Sequence, residues 1–400
     1  MRFLIVSQYF FPEEFRINDL ASELVLLGHQ VTVLTGKPNY PKGEYYKGYS
    51  FKGVLKENYC GAEVIRVPLI KRGDGRAKNL VLNYFSFVHY AKKYIRHNRM
   101  AFDAIICYEI SPITQAYPAL YCKKKYGGKV LLWVQDLWPE SVTAAGGVTN
   151  KLALSILGRM VKNIYAGCDK LLIQSEAFRE SILSKGDFAS KIVYVPNWAE
   201  DIFLDKKMKD RDSVASMMPE GFRVMFAGNV GAAQDIDSII LAAHETRRIP
   251  EIKWVIVGDG RMRESAEKKA QEMNLTETVI FLGRHPVEQM PTFFSFADAM
   301  IVSLKDDYIF SLTIPSKVQP YMASGKPIAA MLNGEGGRII EESGCGMSAL
   351  SGDYRRLAEN VMMFYRMNKE ERELMGQKGQ DYYLRHFDKK TVIDTILKSV

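Results

Sequence analysis

Residues 301–331 read IVSLKDDYIFSLTIPSKVQPYMASGKPIAAM, and their grammar decides the fold: strand, loop, short helix, tight turn, strand. Residues 301–304 end an apolar run. Gly325 can adopt the left-handed conformation that closes a helix, and Pro327 resists continuing it. Pro320 limits the other end. A proline is tolerated in the first helical turn but not deeper, so the helix has to start next to Ser316 and Lys317. The unpaired N–H groups of that turn, with the lysine charge, make an anion site just past a strand end, and a phosphate is its natural guest. An ordinary strand–helix turn with a surface lysine has the same pattern, so the stretch alone leaves both readings open.

Outward from this stretch the same grammar recurs. RVMFAGNVG (223–231) is a strand and a Gly-rich loop, WVIVGDG (254–260) a second, VIFLG (279–283) a third, and ADAMIVSL (297–304) a fourth. In a parallel sheet these strand ends converge. They bring together Gly228, Asn229, Gly231 and Gln234 of the first loop, Gly258, Asp259, Gly260 and Arg261 of the second, Gly283 and Arg284 of the third, and Pro315, Ser316 and Lys317. Each loop is a weak signal; together they favour a phosphorylated ligand. The chain has neither the GxGxxG dinucleotide fingerprint after a strand nor a Walker A GxxxxGK[ST], which argues against a standard NAD site and a P-loop NTPase.

The first half repeats the pattern. Residues 3–7 form an apolar strand; Ile17, Leu20, Ala21, Leu24 and Leu27 recur at helical spacing up to Gly28, and 31–35 form the next strand. Further strands are expected at 64–67, 104–107, 130–134, 170–174 and 192–195, with a long Gly-, Tyr- and Lys-rich loop at 36–62. At 400 residues two domains are the default. The expected division is 1–197, 198–385, and a C-terminal helix in 386–400 packing back on the first domain. A polar, charged stretch at 201–219 follows the boundary.

The apolar fraction of 47% and charged fraction of 25% are those of globular domains. No apolar run reaches the roughly 18–20 residues of a membrane span, and the N-terminal MRFLIVSQYF reads as a core strand, so a cytoplasmic protein is expected. The five cysteines (60, 107, 122, 168, 345) show no CxxC pair, which fits reduced thiols and argues against zinc. Residues 1–199 hold 27 Lys/Arg against 16 Asp/Glu, giving +11, and residues 200–400 hold 27 against 30, giving −3. A basic first half suits an anionic partner: nucleic acid, membrane or a phosphorylated substrate. Residues 71–99 carry eight Lys/Arg and one acid. There Tyr84 and Phe87 interleave with Lys92, Lys93, Arg96 and Arg99, as in a helix lying on an anionic leaflet; a core helix with a basic outer face is the alternative.

Asp136, in QDLWPE after a buried strand, is a candidate for chemistry or for helix capping. Asp235 and Asp237 match a DxD metal motif by spacing alone, and the six histidines have no HxxxH partner, so no metal is expected.

Eight motifs then carry a resemblance over almost the whole chain: SQYFFPEEFRINDLASEL, GHQVTVLTGKPNYPKG, WVQDLWPES, VPNW, FAGNVGAAQDID, VGDGRMRE, VIFLGR and TIPSKVQPYMASGKP. In order and spacing the chain resembles the GT-B-fold, family-4 retaining glycosyltransferases. It is most similar to the bacterial enzymes of O-antigen, capsule and exopolysaccharide synthesis, including N-acetyl-L-fucosaminyltransferases. The resemblance implies an α/β GT-B architecture of two doubly wound Rossmann-like domains facing across a cleft. It implies transfer of a sugar, an N-acetylamino sugar by expectation, from a UDP-sugar donor to a polyprenyl-diphosphate-linked glycan acceptor, with no cofactor and no nucleic acid. The enzyme would be peripheral on the inner face of the plasma membrane. Asp136 resembles the position facing the reacting sugar and Arg284 the one flanking the base. The departures are specific. Phe15-Arg16-Ile17 stand where many relatives have a Gly-Gly pair, Asn229 and Gln234 replace an Arg and a Lys, and Leu312 and Pro320 occupy the places of a glutamate pair. Asp136, Lys317 and Arg16 are therefore the catalytic candidates, with Arg16 open to the alternative of a surface pair with Glu13 or Glu14. Two rivals stay on the page: a UDP-sugar 2-epimerase on the same fold and a non-catalytic sugar-nucleotide binding protein.

Overall fold

A computed structural model describes residues 1–144, 150–205 and 208–400; Lys206 and Lys207 of the polar stretch lie outside them. The chain divides into two units, Met1–Val195 with Ile393–Val400, and Pro196–Val392.

The first unit is built on eight strands: β1 Arg2–Val6, β2 Gln30–Gly36, β3 Leu55–Tyr59, β4 Ala62–Val67, β5 Ala104–Glu109, β6 Lys129–Val134, β7 Lys170–Ile173 and β8 Ile192–Tyr194. Their order is β3-β4-β2-β1-β5-β6-β7-β8. All neighbours are parallel except β3, which runs antiparallel to β4 at the edge. The interior strands are continuous apolar runs because helices cover both faces, and Phe3–Val6, Ala104–Cys107 and Val130–Val134 are fully buried. Strand β3 corrects the long-loop reading of 36–62. Its residues LKENY alternate between half-buried and exposed, so they carry no apolar run; Arg66 of β4, fully buried, instead anchors Glu57 of β3 in an ion pair.

The second unit holds six parallel strands: β9 Phe222–Ala227, β10 Ile252–Val257, β11 Val279–Gly283, β12 Ala299–Ser303, β13 Ile328–Met331 and β14 Gly346–Ala349. The order is β11-β10-β9-β12-β13-β14. Successive residues of β9 fall alternately into two cores. Val224 and Phe226 join Trp254 and Ile256 on one face, while Met225 and Ala227 join Val255 and Val257 on the other, as the two-residue strand period requires. Strand order reverses between β9 and β12, and ligands of such sheets bind outside the carboxyl ends at that reversal. The final helix is Lys389–Lys398.

Candidate functional site

In the second unit the loops after β9, β10 and β12 meet. Gly228 and Gly258 have φ of +135° and +147°, values that side-chain-bearing residues rarely adopt. The N–H of Gly228 donates to the Val257 carbonyl at 2.9 Å, that of Val230 to Asp259 at 2.9 Å, and that of Gly258 to Gly283 at 2.7 Å. A Cβ at Gly258 would lie 1.8 Å from the Gly228 oxygen, and one at Gly260 would lie 2.4 Å from the Val230 oxygen. The two backbones thus touch with no room for a side chain.

Lys317 crosses this contact. Its Cε would lie 2.7 Å from a Cβ on Gly228, and its ammonium sits 4.9 Å from the centre of the Phe226 ring. The helix it opens runs Val318–Ala323, with Pro320 in its first turn. Gly325, at φ +65°, follows its end and donates its N–H to Met322 at 2.9 Å. At six residues this helix has a small dipole, so the lysine carries most of the positive field that the sequence assigned to the pair. Tyr321, which sequence reasoning missed, fixes the helix to the strand end: its hydroxyl donates to the Ala227 carbonyl and accepts the Ala227 N–H, each at 3.0 Å. Among the described residues the Lys317 ammonium has no hydrogen-bond or carboxylate partner. The residue as a whole is half-buried, and burial lowers the pKa of its ammonium to about 8. An unneutralised cation held against a glycine loop invites an anion.

The other expected donor contacts differ in exposure. Asn229, Asp259, Arg261, Arg284 and Ser316 are exposed, and Pro315 is half-buried. Gln234 is committed to its own loop, accepting the Gly231 N–H at 3.2 Å. Beside Gly283 the neighbour is Arg263, whose Nη1 would lie 3.1 Å from a Cβ there and which pairs with Glu267 at 2.7 Å. Asp237 pairs with Lys269 at 3.3 Å, and among the described residues no group of three or more His, Cys, Asp or Glu is disposed to hold a metal ion.

In the first unit Asp136 follows β6 and lines a cavity of about 490 Å³. Tyr84, Ser111, Trp138, Leu157 and Met160 share its wall, and the Trp138 indole N–H donates to the Ser111 hydroxyl at 3.2 Å. Burial raises Asp136 to about 6, against the opposing pull of the Ser141 hydroxyl and the Leu137 N–H. Behind it Glu109 is fully buried; burial and then the Asp136 charge hold its carboxyl well above the usual range. Glu140 opens a short helix and is also ion-paired to Lys185 at 2.5 Å.

Arg16 opens the helix Arg16–Leu26 and pairs with Asp19 at 3.9 Å. The Glu13 carboxylate instead accepts backbone N–H groups of Phe10, Asn39 and Tyr40 at 3.1, 2.8 and 2.7 Å, and burial raises it to about 7. The basic stretch forms the helix Ala77–His97. Phe87 corrects the expectation of a membrane-facing aromatic: it is fully buried. Lys92 lies 5.1 Å from the centre of the Tyr117 ring, whereas Lys93, Arg96 and Arg99 are exposed. The exposed large apolar residues of this helix are Val81, Leu82 and Phe85. Among the described residues no helix is long and apolar enough to cross a membrane.

Two family models match in succession: Glycosyltransferase Family 4 over residues 14–200 and Glycosyl transferases group 1 over residues 211–382. The chain is 30% identical over 243 residues to the probable glycosyltransferase WbjE of Pseudomonas aeruginosa, an alignment spanning 59% of each chain. It is 25% identical over 348 residues to the putative colanic acid biosynthesis glycosyl transferase WcaI of Escherichia coli, spanning 81% of this chain and 82% of WcaI. Its fold matches that of sucrose-phosphate synthase from Thermosynechococcus elongatus with a TM-score of 0.73, 16% identity and coverage of 99% of this chain and 97% of that one. It also matches Anabaena HepE in complex with UDP, with a TM-score of 0.69, 14% identity and coverage of 100% and 99%.

Proposed function

We propose that this chain, which joins a glycosyltransferase family 4 domain to a glycosyl transferases group 1 domain on a GT-B fold, transfers a sugar from a UDP-sugar to a lipid-diphosphate-linked saccharide in bacterial surface-polysaccharide synthesis. The observation that carries the reading is the unpartnered Lys317 ammonium packed against Gly228 at the strand-order reversal of the second sheet. The UDP of HepE supports the base, and the names of WbjE and WcaI support the polysaccharide context.

In this reading the donor diphosphate rests on the Gly228 and Gly258 backbones, with Lys317 against the oxygens that gain charge. The anomeric C–O bond to the diphosphate breaks as a bond to an acceptor hydroxyl forms. The hydroxyl attacks on the face the diphosphate leaves and its proton passes to the departing phosphate, so UDP leaves and the sugar keeps its anomeric configuration. Preorganised positive charge at the leaving group is the main catalytic contribution. Arg284 flanks the base and Ser316 adds a hydroxyl to the diphosphate. Arg16 belongs to the first unit with Asp136, where the acceptor sugar binds and the Asp136 carboxylate orients the reacting hydroxyl. The acceptor's lipid places the enzyme at an anionic membrane surface.

The test is the pH dependence of kcat/KM. Asp136, raised to about 6, has to lose its proton, so the rate rises through pH 6. Lys317, lowered to about 8, has to keep its proton, so the rate falls above pH 8. Bound diphosphate favours charged Lys317, which moves the alkaline limb of kcat above that of kcat/KM. Asp136→Asn removes the acid limb and Lys317→Arg the alkaline one; limbs that survive both substitutions contradict the assignment.

A further inference from the structure

The N-terminal part of the helix Lys151–Gly167 is apolar but only partly buried. Leu152, Leu154, Ile156, Leu157 and Met160 fall there, yet the buried residues of this helix are Val161, Ile164 and Tyr165. Leu152 is 71% and Ile156 62% exposed. The helix Ala77–His97 does the same at its start, with Val81 52% and Phe85 54% exposed. Large apolar residues left exposed on two helices mark a surface made for another apolar phase. The two faces share one cavity: Leu80, Val81 and Phe85 line it from one helix, and Leu157 and Met160 from the other. At about 490 Å³ it lies within the roughly 300–1,000 Å³ of small-ligand sites. Its polar residues, Asp136, Ser111, Thr114 and Ser141, belong to the strand-end side, whereas Val81 and Phe85 are lining residues that are also exposed.

Charge selects the kind of amphiphile. Residues 76–99 and 151–167 together carry nine Lys/Arg and no Asp or Glu. Arg76, Lys78 and Lys151 are exposed near the starts of the two helices. A neutral chain therefore finds an apolar cavity, and an anionic headgroup finds the positive charge of Lys78 and Lys151 beside it, Arg76 being paired with Asp74 at 2.9 Å.

We infer that this cavity receives the apolar chain of the lipid-diphosphate acceptor, between Val81 and Phe85 of one helix and Leu157 and Met160 of the other. The inference rests on the acceptor class proposed above. It relocates lipid contact from the Lys92–Arg99 end of the first helix to its opposite end.

The experiment follows fluorescence of Trp138, which lines the cavity, while geranylgeranyl phosphate is titrated into the full chain. Inorganic phosphate is the headgroup control, and a brominated chain is the quencher. Geranylgeranyl phosphate is expected to bind saturably and at least about a hundredfold more tightly than inorganic phosphate, since each buried apolar group adds affinity. The bromine quenches a component absent from Trp138→Phe. Phe85→Gln and Val81→Gln, at exposed positions that line the cavity, each weaken binding roughly tenfold. Leu26→Gln, at a residue 78% exposed on another helix, leaves binding unchanged. Binding no tighter than that of inorganic phosphate overturns the inference. So does quenching that persists in Trp138→Phe, or docking on phosphatidylglycerol vesicles without quenching by a brominated chain. No donor enters these measurements. Chain binding by a protein that transfers no sugar would defeat the proposed function and leave the site, and sugar transfer without chain binding would do the reverse.

Discussion

Lys317→Met is expected to lower turnover by about 10²–10³-fold, the usual effect of removing a preorganised donor to developing charge, while the melting temperature stays equal or rises. The second half of that expectation follows from the direction of the pKa shift. Burial lowers Lys317 to about 8, so the folded chain holds this proton less tightly than the unfolded chain does. At neutral pH the charged side chain therefore opposes folding, and that cost fades as pH rises from about 8 toward the unfolded value near 10.4. Methionine keeps the stem that packs across Gly228 and beside Phe226 and removes the charge. A residue whose loss costs activity but not stability is doing chemistry or binding. Activity and melting temperature, measured on the same preparations at pH 7, check this. A large drop in melting temperature, or turnover near wild type, contradicts it.

The second large effect separates two glycines thirty residues apart. Gly258→Ala places a methyl group 1.8 Å from the Gly228 carbonyl oxygen at a φ of +147°. Backbone has to move on both loops, at a cost on the order of 3–5 kcal/mol, which lowers the melting temperature by roughly 10 °C. Gly228→Ala instead meets the far end of the Lys317 side chain, at 2.7 Å from Cε. That side chain is flexible and yields, so the stability loss is smaller, but the ammonium leaves its place. Gly228→Ala should therefore approach the activity of Lys317→Met while melting well above Gly258→Ala. Calorimetry with the same turnover assay distinguishes them; equal melting temperatures for the two alanine variants would show that the loops do not touch as described.

The short helix was legible because two residues with few conformational options bracket it: Pro320 and Gly325 confine it, and it runs Val318–Ala323. The buried strands were legible as apolar runs for the same local reason. Strand β3 was not, because its signal is pairing with β4 and a buried arginine rather than hydrophobicity. Helical phase misled the reading of the basic stretch: Phe85 and Phe87 are two residues apart, so they face different ways, and only the packing tells that Phe87 is core and Phe85 exposed. Tyr321 was missed because its two hydrogen bonds reach Ala227, 94 positions away. The cavity is equally non-local, since Tyr84, Ser111, Asp136 and Leu157 come from four separate stretches. Convergence of the glycine loops could be read from strand-end grammar, but the unpartnered state of Lys317 could not, because it depends on which side chains stay away.

The most direct test of the central claim is to incubate the protein with a UDP-sugar panel and lipid-diphosphate-linked saccharides, following UDP release, acceptor mass and the anomeric configuration of the product together. The account predicts UDP release that depends on acceptor, an acceptor heavier by one sugar residue, and retention of the donor's anomeric configuration. Conversion of the donor to an epimer without acceptor, or tight UDP-sugar binding with no change in acceptor mass across the panel, would contradict it.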